Sequence, residues 1–337
     1  MEALLARVCR GCVLVVVAGA VVACAGGCGW FGARETGRAV DPRPAEVTPD
    51  MLTADQLAAQ GRYAEALEVL GRAIEENPTL TSAYVAMGEI HLDQNDAGAA
   101  EQRFRQATLI DASDSEAHRG LGDALVMLER FTEAVRSYLR ALRIRPNDAR
   151  ANAGLASSYL ALDEPMAALP FAERARALEP AMASARATLA GTYAALGRHT
   201  DAVREYEAAL ELEDLEPDLL LGLAESLGRL DRYQEMANTL RTAISITDSA
   251  AAHERLGFAH FKLRQYTAAD ASFRRALQLE PEYFPALNGL GVVLLNDYLL
   301  NNQQNAAVRD EAMGLLRRSL RQNQSQPRIS ELVERFG

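Results

Sequence analysis

Small apolar residues recur along the chain at a fixed spacing and are separated by polar positions. From Ala66 they lie 34 residues apart for five steps, and the last two steps are 33 and 43 residues. A second series, which starts at Ala73, keeps the same steps. The two series are Ala66, Ala100, Ala134, Ala168, Ala202, Met236, Ala269, Ala312, and Ala73, Ala107, Ala141, Ala175, Ala209, Ala243, Ala276, Ser319. This pattern predicts eight copies of one unit, each with amphipathic helices.

The residues between these positions divide each unit into two helices. Turn-forming pairs fall near the middle of the unit, and proline ends several units, which predicts a helix, a turn and a second helix. The turn pairs are Gly61-Arg62, Asn95-Asp96, Gly197-Arg198 and Asp231-Arg232. Large residues precede the second series by three positions, at Phe104, Tyr138, Tyr206 and Phe273. We expect each of these to fill the gap beside a close helix crossing.

The unit resembles the tetratricopeptide repeat. The Leu-Gly pair typical of that family appears as Met87-Gly88, Leu121-Gly122, Leu256-Gly257 and Leu290-Gly291. The resemblance implies an all-α protein, a right-handed superhelical α-solenoid of about eight repeats with a C-terminal capping helix. The units are expected at about 47–80, 81–114, 115–148, 149–182, 183–216, 217–249, 250–283 and 284–325, within an array of 47–325, and the cap at 326–337.

Two units depart from the pattern. The fourth carries Pro170 inside its second helix and Ala172 where the large residue belongs, so we expect a kink there. The eighth has about nine extra residues centred on 301–305, which predicts a polar loop between longer helices. The tail is predicted to form an amphipathic helix from Ser330 that covers the last apolar face.

The N-terminal segment has the features of an export signal. Residues 1–23 combine Arg7 and Arg10 with a short apolar stretch, too short for a typical membrane span. Small residues before Cys24 resemble the lipidation motif of bacterial lipoproteins, with Cys28 as second choice, and residues 24–46 read as a flexible tether. This implies a lipid-anchored, extracytoplasmic protein of the cell envelope, at the outer membrane or in the periplasm. An uncleaved single anchor and plain secretion are the alternatives.

Charge and cysteine content exclude several classes of site. The net charge of −11 disfavours nucleic acid, which needs clustered Lys and Arg. All four cysteines lie within the first 28 residues, so the array is expected to have neither a disulfide framework nor a cysteine metal site.

We find no motif of a catalytic or cofactor site. The five histidines occupy positions that hold tyrosine or phenylalanine in other units, and are expected to pack rather than bind metal; they are His91, His118, His199, His253 and His260. No phosphate loop or nucleophile motif is present. The sequence therefore predicts neither an enzyme, a cofactor nor a metal.

The family resemblance implies a concave groove lined by the first helices. Its inward positions fall here on Val85, Glu89, Leu92, Glu116, Arg119, Asp123, Arg150, Ser157, Leu160, Leu221, Glu225, Glu254, Phe258, Phe261, Asn288, Val292 and Leu295. One subfamily binds chaperone tails through a clamp of Lys, Asn and Arg. That clamp is absent, since Met51, Asp55 and Ala86 stand at its first positions.

The apolar residues at the C-terminal end of the groove have two interpretations. Phe258, Phe261, Val292 and Leu295 would be buried by a partner helix or extended segment. Alternatively, the C-terminal helix or the 301–305 loop covers them, or they pack internally.

The hypothesis from sequence is a non-catalytic envelope scaffold that binds a protein partner in its groove. Two alternatives are an accessory subunit of an envelope enzyme, acting in polysaccharide export or glycosyl transfer, and a self-assembling structural protein. A homo-oligomer is compatible with each.

Overall fold

The computed structural model describes residues 49–212, 216–300 and 305–337, which contain α-helices and short connections. The helices in these ranges are α1 (Pro49–Ala59), α2 (Tyr63–Glu76), α3 (Thr81–Asp93), α4 (Ala97–Ile110), α5 (Ser115–Met127), α6 (Phe131–Ile144), α7 (Ala149–Ala161), α8 (Pro165–Leu178), α9 (Ala183–Ala195), α10 (His199–Leu210), α11 (Pro217–Arg229), α12 (Tyr233–Ile246), α13 (Ala250–Lys262), α14 (Tyr266–Leu279), α15 (Phe284–Leu300), α16 (Ala306–Gln322) and α17 (Pro327–Phe336).

The helices pack in consecutive pairs, as the repeat pattern predicts. Each odd-numbered helix packs on the helix that follows it, and each even-numbered helix packs on the first helix of the next repeat. First helices also contact one another at every step from α1 to α15. The all-α solenoid of paired helices is therefore confirmed, and the inner faces of successive first helices lie side by side.

The turn between the two helices of a repeat has one conserved backbone geometry within this chain. A residue with positive φ recurs at the same place in seven repeats: Gly61, Asn95, Glu129, Asp163, Gly197, Asp231 and Arg264. Only two of these are glycine, so helix packing imposes the left-handed conformation even on residues that disfavour it. The sequence predicted four of these turns and missed those at Glu129, Asp163 and Arg264.

The large residues of the second helices act as wedges between successive first helices. The Phe104 ring lies so close to Gly120 that a Cβ there would stand 2.2 Å from it. Tyr138 approaches Gly154 equally closely, with 2.5 Å to a Cβ. The expected role beside helix crossings is thus confirmed, and it explains why first helices carry glycine at the contact.

The fourth and eighth repeats, which depart from the sequence pattern, differ in how their helices are built. Helix α8 continues through Pro170 to Leu178. The neighbour of Ala172, Phe171, stacks on Tyr159 with ring centroids 6.0 Å apart. In the eighth repeat both helices are long, at 17 residues each; most of the predicted 301–305 loop lies outside the described ranges.

Helix α17 packs against the last repeat with its apolar side. It begins at Pro327, three residues before the predicted start. Its apolar residues pack against the core cluster that includes Leu290, Leu295 and Leu316; they are Ile329, Leu332, Val333 and Phe336. Within the described ranges, none of the helices has the length and apolar character needed to cross a bilayer.

Candidate protein-binding groove

The predicted inward positions all fall on the first helices, and we call the surface that they form the groove. Glu89, Arg150, Ser157, Glu225 and Phe258 are exposed on it. Val85 and Leu295 are buried, at 6% and 3% exposure, so the prediction that these two line an open surface was wrong. The remaining positions are half-buried: Leu92, Glu116, Arg119, Asp123, Leu160, Leu221, Glu254, Phe261, Asn288 and Val292.

A charged network crosses the groove between the second and third repeats. Arg119 donates to Asp123 Oδ2 at 3.0 Å and to Glu89 Oε1 at 3.2 Å. The Tyr138 hydroxyl donates to the other oxygen of Asp123 at 2.6 Å. Burial raises the pKa of the Glu89 carboxyl, and the nearby carboxylate of Glu116 adds to this effect although Arg119 opposes it. The arginine is therefore already fully engaged by the chain's own carboxylates.

Beside this network lies an open cavity of about 820 Å³, formed by α5, α7 and the start of α9. Arg150 lines it and is exposed, with no ion pair or hydrogen bond to the residues that the structure describes. Ser157 and Thr188 add hydroxyl groups to the wall. The arrangement offers an unpaired guanidinium and small polar groups to an incoming acceptor.

The sixth and seventh repeats contribute an aromatic patch with a cation. Phe258 is 40% exposed and meets the edge of Tyr233, with ring centroids 6.1 Å apart. Lys262 Nζ lies 5.5 Å from both ring centroids. Phe261 turns instead to Tyr266, at 5.7 Å. Only Phe258 of the predicted aromatic pair is thus freely presented to a partner.

The C-terminal end of the groove is closed by the chain itself. Asn288 donates to Gln326 Oε1 at 2.6 Å, at the start of α17. Leu295 belongs to the same apolar cluster that α17 packs against, and Val292 is half-buried. Of the four apolar residues with two interpretations, Leu295 is therefore buried within the chain, and Asn288, a fifth groove position, is bonded to the residue that precedes α17.

Another cavity, of about 730 Å³, lies on the second helices α14 and α16, away from the groove. Two of the arginines that line it are paired within the chain: Arg274 with Asp270 and Glu311, and Arg318 with Glu282. This cavity is part of the packing between the last two second helices.

The histidines are built into the helices rather than clustered. His118 is buried and its Nε2 lies 3.1 Å from the carbonyl oxygen of Ala112, while His253 bonds Asp248 at 2.6 Å. Burial lowers the pKa of His91, His118 and His260. Among the described residues no three His, Cys, Asp or Glu side chains converge as metal ligands would.

Sequence reasoning predicted Glu225 on the groove but missed the polar residues that surround it. Tyr206 was assigned only as a wedge, yet it lines a cavity of about 450 Å³ together with His199, Glu225, Ser226 and Arg229. Aligning the repeats against one another would have shown the signal. The residue 15 positions before Tyr138 is an aspartate, Asp123, whereas the residue 15 positions before Tyr206 is a glycine, Gly191. The predicted lipidation positions, Cys24 and Cys28, lie outside the described residues.

Models of the tetratricopeptide repeat match most of the array. Four models, all described as tetratricopeptide or TPR repeats, match residues 57–124, 122–163, 154–217 with 188–251, and 250–283. A search of curated proteins found no match.

Solved structures share the fold at low sequence identity. The Cut9–Hcn1 hetero-tetramer of the APC/C gives a TM-score of 0.62 at 18% identity, covering 85% of this chain and 55% of that chain. This chain therefore spans about half of that protein's length. Pseudomonas aeruginosa PilF gives 0.54 at 17% identity, and PilW, a type IV pilus biogenesis factor, 0.54 at 22%; both cover 61% of this chain and 94% of theirs.

Proposed function

The chain is a tetratricopeptide repeat protein, and we propose that it is a non-catalytic scaffold of the cell envelope that holds a segment of a protein partner in its groove. Repeat arrays of this kind present a long continuous surface, which suits the recognition of extended or helical segments. A fold alone does not specify an activity, so the proposal depends on the groove residues.

The observation that carries the proposal is the unpaired Arg150 beside the open cavity of the third to fifth repeats. Arg119, one repeat earlier, is held by ion pairs with two carboxylates, whereas Arg150 makes no ion pair with the described residues and interacts with Asp123 only through its charge. An exposed arginine among small polar residues can bind an acceptor group of a partner without first breaking an internal ion pair. Arg150→Glu should therefore weaken partner binding at least tenfold and leave the fold intact.

In-cell photo-crosslinking tests the scaffold function directly. A photoreactive residue at Ser157, exposed in the cavity, should give a discrete adduct with a foreign protein. The matched control is Leu109, which is 85% exposed on the second helix α4. Equal adducts from both positions, or none from Ser157, would contradict the proposal. Self-adducts would instead favour a self-assembling protein.

We also propose that the N-terminal segment anchors the scaffold through a lipid on Cys24. The residues before Cys24 resemble the lipoprotein motif, and the low helical content expected of 24–46 suits a tether. Cys24→Ala should abolish fatty-acid labelling in cells. Labelling that persists in this variant and disappears in Cys28→Ala would move the lipid to the second cysteine, and the absence of labelling in the parent chain would refute lipidation.

A further inference from the structure

Three polar atoms without partners surround a pocket between the fifth and sixth repeats. Tyr206 is 7% exposed, and its hydroxyl makes no hydrogen bond to the described part of the chain. Ser226 Oγ and His199 Nδ1 are buried and likewise have no partner. All three residues line the same cavity of about 450 Å³. Buried polar atoms without partners are uncommon in folded proteins, so Ser226 Oγ and His199 Nδ1 indicate a missing bonding group, while the Tyr206 hydroxyl remains open to an incoming one.

The third repeat shows how a tyrosine at this place is bonded when the chain supplies an acceptor. Tyr138 and Tyr206 stand two repeats apart, so they hold the same place in their units. Tyr138 donates to Asp123 at 2.6 Å. The residue two repeats after Asp123 is Gly191, which offers no acceptor to Tyr206.

The approach to Tyr206 is open because the inner face of α9 is small. A Cβ built on Gly191 would lie 3.7 Å from the Tyr206 hydroxyl, an ordinary contact. The positions of α9 that correspond to groove residues in other repeats are Ser184, Ala187, Gly191 and Ala194. A side chain from outside can therefore occupy the space that Asp123 fills in the third repeat.

The charges around the pocket select the chemistry of that side chain. Glu225 lines the pocket as an acceptor and is paired only with Arg229, at 3.6 Å. Burial and the charge of Glu225 raise the pKa of Tyr206, so its hydroxyl stays protonated and can donate. Arg229 also lines the pocket, but it is 65% exposed and paired with Glu225, so a ligand carboxylate gains little from it and lies beside the Glu225 carboxylate. An apolar group would leave the Tyr206 hydroxyl unbonded. A carboxamide carries one acceptor for Tyr206 and two donors, one of which suits Glu225.

We propose that this pocket binds the side chain of an asparagine or glutamine of the protein partner. The carbonyl oxygen of the carboxamide accepts from the Tyr206 hydroxyl, and its NH₂ group donates to Glu225. Ser226 and His199 line the wall and gain a polar neighbour. The inference rests on the proposed function, since it names what one position of the bound segment must be.

A randomised dodecamer peptide library displayed on phage and selected on the full chain in detergent tests the pocket. Enriched peptides should share one Asn or Gln, and its replacement by Glu or Leu should weaken binding at least tenfold. Gly191→Asp, which supplies an acceptor from the chain itself, should weaken binding by a similar factor. Tyr206→Phe should weaken it several-fold while keeping the wedge, because Phe104 and Phe273 hold that place in other repeats.

Two control variants distinguish binding in the pocket from binding elsewhere along the groove. Tyr84→Phe removes a hydroxyl that bonds the carbonyl oxygen of Pro78, outside both the pocket and the groove positions, and should leave peptide affinity unchanged. Gly191→Ala adds a methyl group without an acceptor, and its effect should be smaller than that of Gly191→Asp. Peptides that lack a shared carboxamide, or bind Gly191→Asp as tightly as the parent chain, would overturn the pocket and leave the groove function standing. Failure to enrich any peptide would overturn both.

Discussion

The third and fifth repeats place the same tyrosine in the same crevice and use it differently. In the third, Tyr138 is 1% exposed and its hydroxyl is bonded to Asp123; in the fifth, Tyr206 is packed against Gly222 but its hydroxyl bonds none of the residues that the structure describes. The ring therefore serves the fold in both repeats. Whether the hydroxyl is bonded within the chain depends on another position, which is Asp123 in the third repeat and Gly191 in the fifth. Within one repeated unit, packing and recognition are thus set by different residues.

The turns between the two helices of these repeats also differ at one residue. Glu129 and Gly197 hold the same place and the same left-handed backbone, with φ of 57° and 73°. The third repeat therefore bears a backbone cost that the fifth avoids. Three pairs of substitutions and one titration test these differences between the two repeats.

The largest effect is expected from exchanging the residues that face the two tyrosines. Asp123→Gly leaves both Tyr138 and Arg119 without their shared acceptor, and should lower the free energy of unfolding by about 2–3 kcal/mol. Gly191→Asp gives Tyr206 an acceptor and removes a helical glycine, but it adds a carboxylate near Glu225, so its stability should stay close to that of the parent chain. Urea unfolding followed by circular dichroism measures both. Equal losses in the two variants would show that the two sites are alike.

The hydroxyl groups themselves are expected to matter unequally. Tyr138→Phe removes the bond to Asp123 and should cost about 1–2 kcal/mol of unfolding free energy. Tyr206→Phe removes an unpartnered hydroxyl and should change stability by less than about 0.5 kcal/mol. Chemical denaturation of both variants at one pH tests this. A loss in Tyr206→Phe as large as in Tyr138→Phe would mean that the Tyr206 hydroxyl is bonded within the chain.

Exchanging the turn residues should give smaller effects of opposite sign. Glu129→Gly relieves the left-handed strain and should raise the unfolding free energy by about 1 kcal/mol. Gly197→Ala should lower it by a similar amount, because alanine disfavours the same backbone. Thermal melts of the two variants against the parent provide the comparison. Destabilisation by Glu129→Gly would show that the side chain contributes more than the backbone costs.

The smallest expected effect is a difference in how much stability the parent and the two Tyr→Phe variants lose at alkaline pH. Burial first, then the charge of Asp123 and its hydrogen bond, raise the pKa of Tyr138 well above its ordinary value, and burial followed by Glu225 raises that of Tyr206. A raised folded-state pKa gives stability that is present below the unfolded value of about 10 and lost as pH rises through the folded value. Between pH 9 and 11 the urea midpoint should therefore fall less in Tyr138→Phe than in the parent, and by an intermediate amount in Tyr206→Phe. Three identical slopes would exclude both tyrosines as the cause.

The repeat pattern made most of the fold predictable from sequence. Two series of small residues in fixed phase report helix crossings directly, because a larger side chain does not fit there, and Ala141 is fully buried as such a position requires. The turns at Glu129 and Arg264 were missed because their residue types give no local signal. Tertiary packing imposes that backbone.

The groove was harder to predict because exposure depends on neighbours that are distant in sequence. Leu295 and Asn288 have the spacing of groove residues, but Leu295 is buried in the apolar cluster of the last repeat and Asn288 bonds Gln326, 38 residues later in the chain. The pocket at Tyr206 depends on an absent side chain at Gly191 as much as on those present. Such a feature appears only when repeats are compared with one another.

The cover provided by α17 also bears on polymerisation. A stack of like units can lengthen into a filament when its terminal face accepts the opposite face of another molecule. Here the face of the eighth repeat is occupied by Ile329, Leu332 and Phe336, and head-to-tail joining through it would require this helix to detach. Helix α17 would thus oppose the growth of fibres through this face.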